Sequence, residues 1–103
     1  MVTPRQGEVW WAEASDKQRP VLIVSRSEIV PLLNAIVCAP ITKKVRGIPT
    51  EIPLGTAEGL KVRCAASFDN LQLIRRSSFG SRIGALTGSR RTICQALSAL
   101  ADC

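Results

Sequence analysis

Val21-Leu22-Ile23-Val24 is an unbroken apolar run, entered through Arg19-Pro20 and left through Ser25. With two Val and one Ile among four residues and no polar gap, it reads as a strand buried on both faces, which demands apolar cover above and below it. Pro20 stands at its start, where a missing backbone donor does least harm. A second run, Ala35 to Thr42, reads as a central strand bent or terminated near Pro40. Gly7 to Glu13 mixes β-formers between turn residues, and the polar stretch Ala14 to Gln18 links it to the first run. Thr50 to Leu54 alternates as an edge strand would, while Cys64 to Asp69 and Leu71 to Arg75 read as two further strands about a turn at Asp69-Asn70. Between the two apolar runs Ser27 is expected to cap a short helical turn through Val30, with Pro31 limiting its length.

The period changes near the C-terminus. After Gly88, residues Ile93, Leu97 and Leu100 fall at i, i+4 and i+7 with Ala96 beside them, the pattern of an amphipathic helix that Thr87 or Ser89 can cap. Short, closely spaced strands followed by one helix predict a mainly β (α+β) fold: a small antiparallel barrel or strongly curved sheet with a C-terminal helix packed on it. No repeat, low-complexity segment or linker interrupts the chain, so residues 1–103 read as a single domain.

Fourteen Lys and Arg against 8 Asp and Glu leave a formal charge of +6, which favours an anionic partner: nucleic acid, an acidic protein or an anionic membrane surface. Solubility alone would also account for it. The longest apolar runs fall far short of the ~20 residues of a membrane-spanning helix, and MVTPRQGEVWW lacks the pattern of a secretory signal. The expected location is the cytoplasm, with no membrane partner.

Cys38, Cys64, Cys94 and Cys103 lie far apart without a C-x-x-C pair, and the chain has no histidine to complete a typical zinc site. In a reducing compartment they read as small buried hydrophobes, Cys103 being the one most expected at the surface. The lack of histidine also excludes a Cys-His nucleophile and the usual general acid and base. The phosphate-loop, dinucleotide, serine-hydrolase and zinc-protease signatures are all missing, and the eight carboxylates show no clustered spacing for magnesium. No metal and no cofactor is expected.

What remains is a pair of strand ends. Lys17-Gln18-Arg19 runs into one apolar strand and Thr42-Lys43-Lys44 runs out of another. If those strands are antiparallel neighbours, Arg19 and Thr42 meet at one edge of the sheet. An Arg fork and a Thr hydroxyl together suit a phosphate, while Lys17, Lys43, Lys44 and Arg46 would attract a nucleic-acid backbone. Spacing alone does not choose between such a corner and an ordinary solvated turn. RNA would make the sparse set sufficient, because its 2′-hydroxyl attacks the neighbouring phosphate from within the substrate. Arg19 then suits charge stabilisation and proton donation rather than base chemistry, and the general base stays unassigned. Trp10 and Trp11 face opposite sides of a strand, so one belongs to the core and the other stacks a base or meets a dimer partner. Arg75-Arg76 and Arg90-Arg91 read as solvated faces.

R-Q-G-E-V-W-W (5 to 11), Q-R-P-V-L-I-V-S (18 to 25), A-P-I-T-K-K (39 to 44), E-G-L (58 to 60), D-N-L (69 to 71) and R-I-G-A-L (82 to 86) follow one another in an order and spacing that resembles the MazF/PemK toxins over nearly the whole chain. The resemblance implies an SH3-like, CcdB-like barrel with an added helix and a homodimer. It implies sequence-selective, metal-independent cleavage of single-stranded RNA (mRNA, tRNA or rRNA) to 2′,3′-cyclic phosphate and 5′-hydroxyl ends. It further implies a cognate antitoxin with an acidic tail and catalytic roles for Arg19 and Thr42, beside which Lys17, Gln18, Lys43, Lys44 and Arg46 are the expected RNA-binding residues. Many members have a longer loop between the first two strands and an acidic residue with Ser where this chain has Arg63-Cys64. The competing readings are a gyrase poison of the same fold, similar to CcdB, and a non-catalytic RNA-binding module.

Overall fold

The protein is described by a computed structural model in which residues 3–14 and 17–101 are placed. Seven strands precede one helix: β1 (Glu8–Ala14), β2 (Lys17–Ile23), β3 (Ala35–Thr42), β4 (Glu51–Leu54), β5 (Cys64–Ser67), β6 (Gln72–Arg75), β7 (Phe79–Ala85) and α1 (Ser89–Leu100). Every pairing is antiparallel, in the order β4-β5-β3-β2-β1-β7 with β6 added beside β3. The curled antiparallel sheet with a C-terminal helix is the architecture the sequence patterning calls for.

β2 shows why this sheet curls. Leu22 and Val24 enter one buried cluster, with Val9, Ala39, Ile52, Leu54, Phe68 and the helix residues Ile93 and Ala96. Val21 and Ile23 enter the other, with Trp10, Ala12, Ile36, Cys38, Ile74 and Phe79. All four residues of the run are therefore covered, each burial contributing roughly 1.5–3 kcal/mol for a side chain of this size. Trp10 packs edge-on against Phe79 with ring centroids 6.2 Å apart.

β3 does not end at Pro40 but changes partners around it. Ala35 to Cys38 pair with β6 and Ile41-Thr42 with β5, while the opposite edge pairs with β2 from Cys38 to Pro40. The two ends of the sheet meet without a ladder. The turn at Glu58-Gly59 lies against Ile83-Gly84 of β7 so closely that a Cβ on Gly59 would fall 2.6 Å from the Ile83 carbonyl oxygen, and one on Gly84 would overlap the Glu58 carbonyl. The E-G-L and R-I-G-A-L blocks are thus two halves of one contact.

Several expectations need correction. β7 was not legible as a strand, since Phe79-Gly80-Ser81-Arg82-Ile83-Gly84-Ala85 carries two glycines and few β-formers. Neither Thr87 nor Ser89 caps α1; its N-terminus turns on Gly88 at φ 66°, a left-handed conformation that glycine adopts without steric cost. On that helix Ile93 and Ala96 are buried and Leu97 partly so, but Leu100 is exposed. Ser27 does not start the helical turn, which is a 3-10 segment at Val30–Leu32 carrying Pro31 in its first turn; the Ser27 hydroxyl accepts from the Gln6 amide at 2.8 Å. Of the link read as Ala14 to Gln18, Ala14 closes β1, Lys17 and Gln18 open β2, and Ser15-Asp16 lie outside the described residues. Cys38 and Cys64 are buried but Cys94 is exposed, and Cys103 lies outside the described residues. No helix among the described residues is long and apolar enough to cross a membrane.

Candidate functional site

The β2–β3 ladder pairs Val21 with Pro40, Leu22 with Ala39 and Ile23 with Cys38. The ladder ends there, and the same register carried two residues further would set Arg19 opposite Thr42, which places the two strand ends at one edge of the sheet. Both residues line a cleft of about 730 Å³ together with Lys43, Lys44 and Arg46 of the following loop. Its other wall carries Ser67, Asn70 and Gln72, from the end of β5, the 3-10 turn Phe68–Asn70 and the start of β6. Among the described residues no carboxylate lines it. Four cations facing one concavity make a surface of strongly positive potential.

Arg19 is exposed and makes no hydrogen bond or ion pair with the described residues, so its full fork is available to a ligand. The Thr42 oxygen accepts from the Lys44 amide at 3.1 Å, which fixes the side chain and leaves its O–H to donate. Lys43 and Lys44 are exposed. Arg46 is different: its Nε donates to Glu51 Oε2 at 3.2 Å and its Nη2 lies 4.0 Å from Asp69 Oδ2, so part of its charge is already balanced. Lys17 and Gln18 do not join this cleft. Lys17 opens β2 opposite Ala14, and Gln18, opposite Glu13, reaches toward Gly80 of β7.

Thr42 and Lys43 also border a second, more apolar groove of about 470 Å³, lined by Trp11, Pro20, Leu60, Val62 and Ile83 among others. Of the two tryptophans Trp10 is the core one, and Trp11, 41% exposed, stands on the wall of this groove. Arg75, Arg90 and Arg91 are exposed outside both.

Sequence reasoning missed four residues here. By sequence Asn70 is part of a turn, and that turn carries it to the cleft wall, where its Nδ2 donates to Ser67 Oγ at 2.9 Å. Ser67 and Gln72 carry no local signal. Glu51 opens the edge strand β4, and its carboxylate is buried beneath the basic loop, which no local pattern signals. Burial alone would push its pKa up, but hydrogen bonds from the Arg46 and Gly47 amides and the Arg46 side chain outweigh that and hold it below the usual carboxylate range. Among the described residues no group of three or more Cys, Asp or Glu is gathered as metal ligands would be.

A family described as PemK-like, MazF-like toxin of type II toxin-antitoxin system matches residues 5–102. The chain is 34% identical over 103 residues to "Probable endoribonuclease MazF5" of Mycobacterium tuberculosis, covering 97% of this chain and 94% of that protein. It is 43% identical over 75 residues to "Endoribonuclease MazF3" of the same species, covering 73% of each. The solved structure of "Mycobacterium tuberculosis toxin MazF-mt6" superposes with a TM-score of 0.82 at 36% identity, over 90% of this chain and 95% of that one.

Proposed function

Because the chain belongs to the PemK-like, MazF-like toxins of type II toxin–antitoxin systems, we propose that it is a metal-independent endoribonuclease whose active site is the Arg19–Thr42 corner. One observation carries the assignment: Arg19 and Thr42 line one cleft with Lys43, Lys44 and Arg46, and among the described residues no carboxylate lines it. Cations of which, among the described residues, only Arg46 is paired with carboxylates, Glu51 and Asp69, suit the binding of a phosphodiester backbone.

The substrate supplies its own nucleophile. The RNA 2′-hydroxyl gives up its proton to solvent water as its oxygen attacks the adjacent phosphorus, the P–O5′ bond breaks, the leaving 5′-oxygen takes up a proton, and the ends are a 2′,3′-cyclic phosphate and a 5′-hydroxyl. Negative charge gathers on the non-bridging oxygens as this happens, and the Arg19 guanidinium and the Thr42 hydroxyl donate to those oxygens. Arg19 also suits donation of a proton toward the leaving 5′-oxygen. Lys43, Lys44 and Arg46 hold flanking phosphates. The protein acts in the cytoplasm as a homodimer of single-domain chains on single-stranded mRNA, tRNA or rRNA. A cognate antitoxin restrains it, with an acidic segment laid over the same cleft.

Purified protein freed of antitoxin should cut mixed-sequence single-stranded RNA in EDTA, leave the corresponding DNA whole, and yield fragments with 5′-hydroxyl ends. Intact RNA overturns the reading, and a gel shift without shortening would indicate a binder instead. Arg19→Ala and Thr42→Ala should each lower kcat by roughly 10²–10³ at unchanged thermal stability, the usual cost of removing one donor to a developing oxyanion.

A further inference from the structure

The segment between β3 and β4, which carries Lys43, Lys44 and Arg46, has no regular secondary structure, and its far end is folded around one side chain. Glu51 opens β4 with its carboxylate only 2% exposed. One of its oxygens, Oε1, accepts from two successive amides, Arg46 N at 2.9 Å and Gly47 N at 3.0 Å, and the other accepts from Arg46 Nε. Gly47 sits at φ 69°, the left-handed conformation that lets neighbouring amides converge on a single acceptor. A second brace runs alongside, where Thr50 Oγ1 donates to Asp69 Oδ2 at 2.6 Å.

A buried anion in the wall of a cleft built for phosphate is electrostatically unfavourable for that ligand. Positioning is what compensates for it. Arg46 lines the cleft and is half exposed, and with one of its five N–H groups bound by Glu51 the guanidinium is oriented before a ligand arrives. Ordering a long side chain in advance removes that entropic cost from binding.

We propose that Glu51 is a positioning residue for the substrate: it folds the loop and aims Arg46 so that the pair forms a preorganised subsite for an RNA backbone phosphate flanking the one held by Arg19 and Thr42. This rests on the endoribonuclease reading for the identity of the ligand. It makes a prediction of opposite sign to charge alone. Deleting a negative charge from a basic cleft would strengthen RNA binding, whereas releasing a preorganised arginine weakens it.

The test is Glu51→Gln, which keeps size and one acceptor but not the charge, alongside Arg46→Ala and the double variant. Cleavage is followed with kcat and KM separated, and affinity is measured on a non-cleavable 2′-O-methyl RNA. Glu51→Gln should raise KM and Kd about tenfold with kcat changed less than about twofold, and adding it to Arg46→Ala should cost less than about twofold more. An unchanged or lower Kd in Glu51→Gln, or additive losses in the double variant, overturns the proposal. If Glu51→Gln does not fold, Arg46→Ala decides: an unchanged Kd there overturns it. Wild-type protein that binds but does not cut, with Glu51→Gln still binding about tenfold more weakly, removes the nuclease reading and keeps the subsite. Wild-type protein that neither binds nor cuts removes both.

Discussion

Gly84→Ala tests whether the two ends of the curled sheet are held together by backbone contact at Glu58-Gly59. An added Cβ would overlap the Glu58 carbonyl oxygen and fall 2.7 Å from its carbon and 3.4 Å from the Gly59 nitrogen. These are backbone atoms of a turn tied by Gly59 N to Thr56 O and Leu60 N to Gly55 O, both at 3.1 Å, so no rotamer change relieves the collision. Overpacking of this kind costs about 1–3 kcal/mol, offset by about 0.4–1 kcal/mol from the stiffer unfolded chain. For a domain of about 100 residues the net loss of about 1–2 kcal/mol lowers Tm by roughly 5–15 °C. Gly80→Ala is the control on the same strand, because its Cβ would meet the Trp11 carbonyl oxygen at 3.6 Å and Gln18 Oε1 at 3.8 Å, which is ordinary contact. That variant should match wild type or gain up to about 1 kcal/mol. Thermal and urea unfolding followed by circular dichroism give both values. If Gly84→Ala lies within about 0.5 kcal/mol of Gly80→Ala, the closing contact does not constrain the fold and the reasoning fails.

Acid should destabilise the protein through Glu51 and Glu8. At both residues burial acts to raise the pKa but is outweighed by hydrogen bonds, from Arg46 and Gly47 at one and from Trp10, Arg5 and Arg82 at the other, so both sit below the ordinary 4.5 when folded. A lowered folded pKa stabilises above the unfolded value and is lost as pH falls through the folded one, so the urea midpoint should drop below about pH 4.5 and Glu51→Gln should flatten that drop. A midpoint that rises on acidification contradicts this. Among the thiols, Cys94 is exposed while burial pushes Cys38 up to about 12, so peptide mapping after alkylation of native protein should find Cys94 modified and Cys38 modified only in denaturant. Rapid labelling of native Cys38 would be inconsistent with its place in the core. Trp11→Ala should weaken RNA binding by about 5- to 150-fold if the indole stacks a base, with the fold unchanged. A shift in the dimer equilibrium with RNA affinity intact would assign Trp11 to the subunit interface instead.

Residues Val21 to Val24 and Ile93, Ala96 and Leu97 show how far local pattern reaches. An apolar run with no polar gap admits only surroundings that are apolar on both sides, and an apolar stripe at helical spacing has one face to bury, so the doubly covered strand and the docked helix could be read directly. The chemistry of the site was equally local. Arg19, Thr42, Lys43 and Lys44 are residue types that suit a phosphate, although they fit an ordinary solvated turn as well, and the missing histidine removes the usual acid and base. That Arg19 and Thr42 share a cleft depends on strand pairing set by side chains distant in sequence, which no local pattern encodes. The same holds for β7, whose glycines argue against a strand until β1 pairs with it and Glu58-Gly59 presses on it. The burial of Glu51 under the basic loop also belongs to tertiary structure, because an anion is tolerated there only when loop amides from several residues away converge on it. Local pattern along the chain dictates which segments must be covered and which residue types are suited to a phosphate. Tertiary structure decided which of those groups share a cleft, because strand pairing and backbone contact act between residues far apart along the chain.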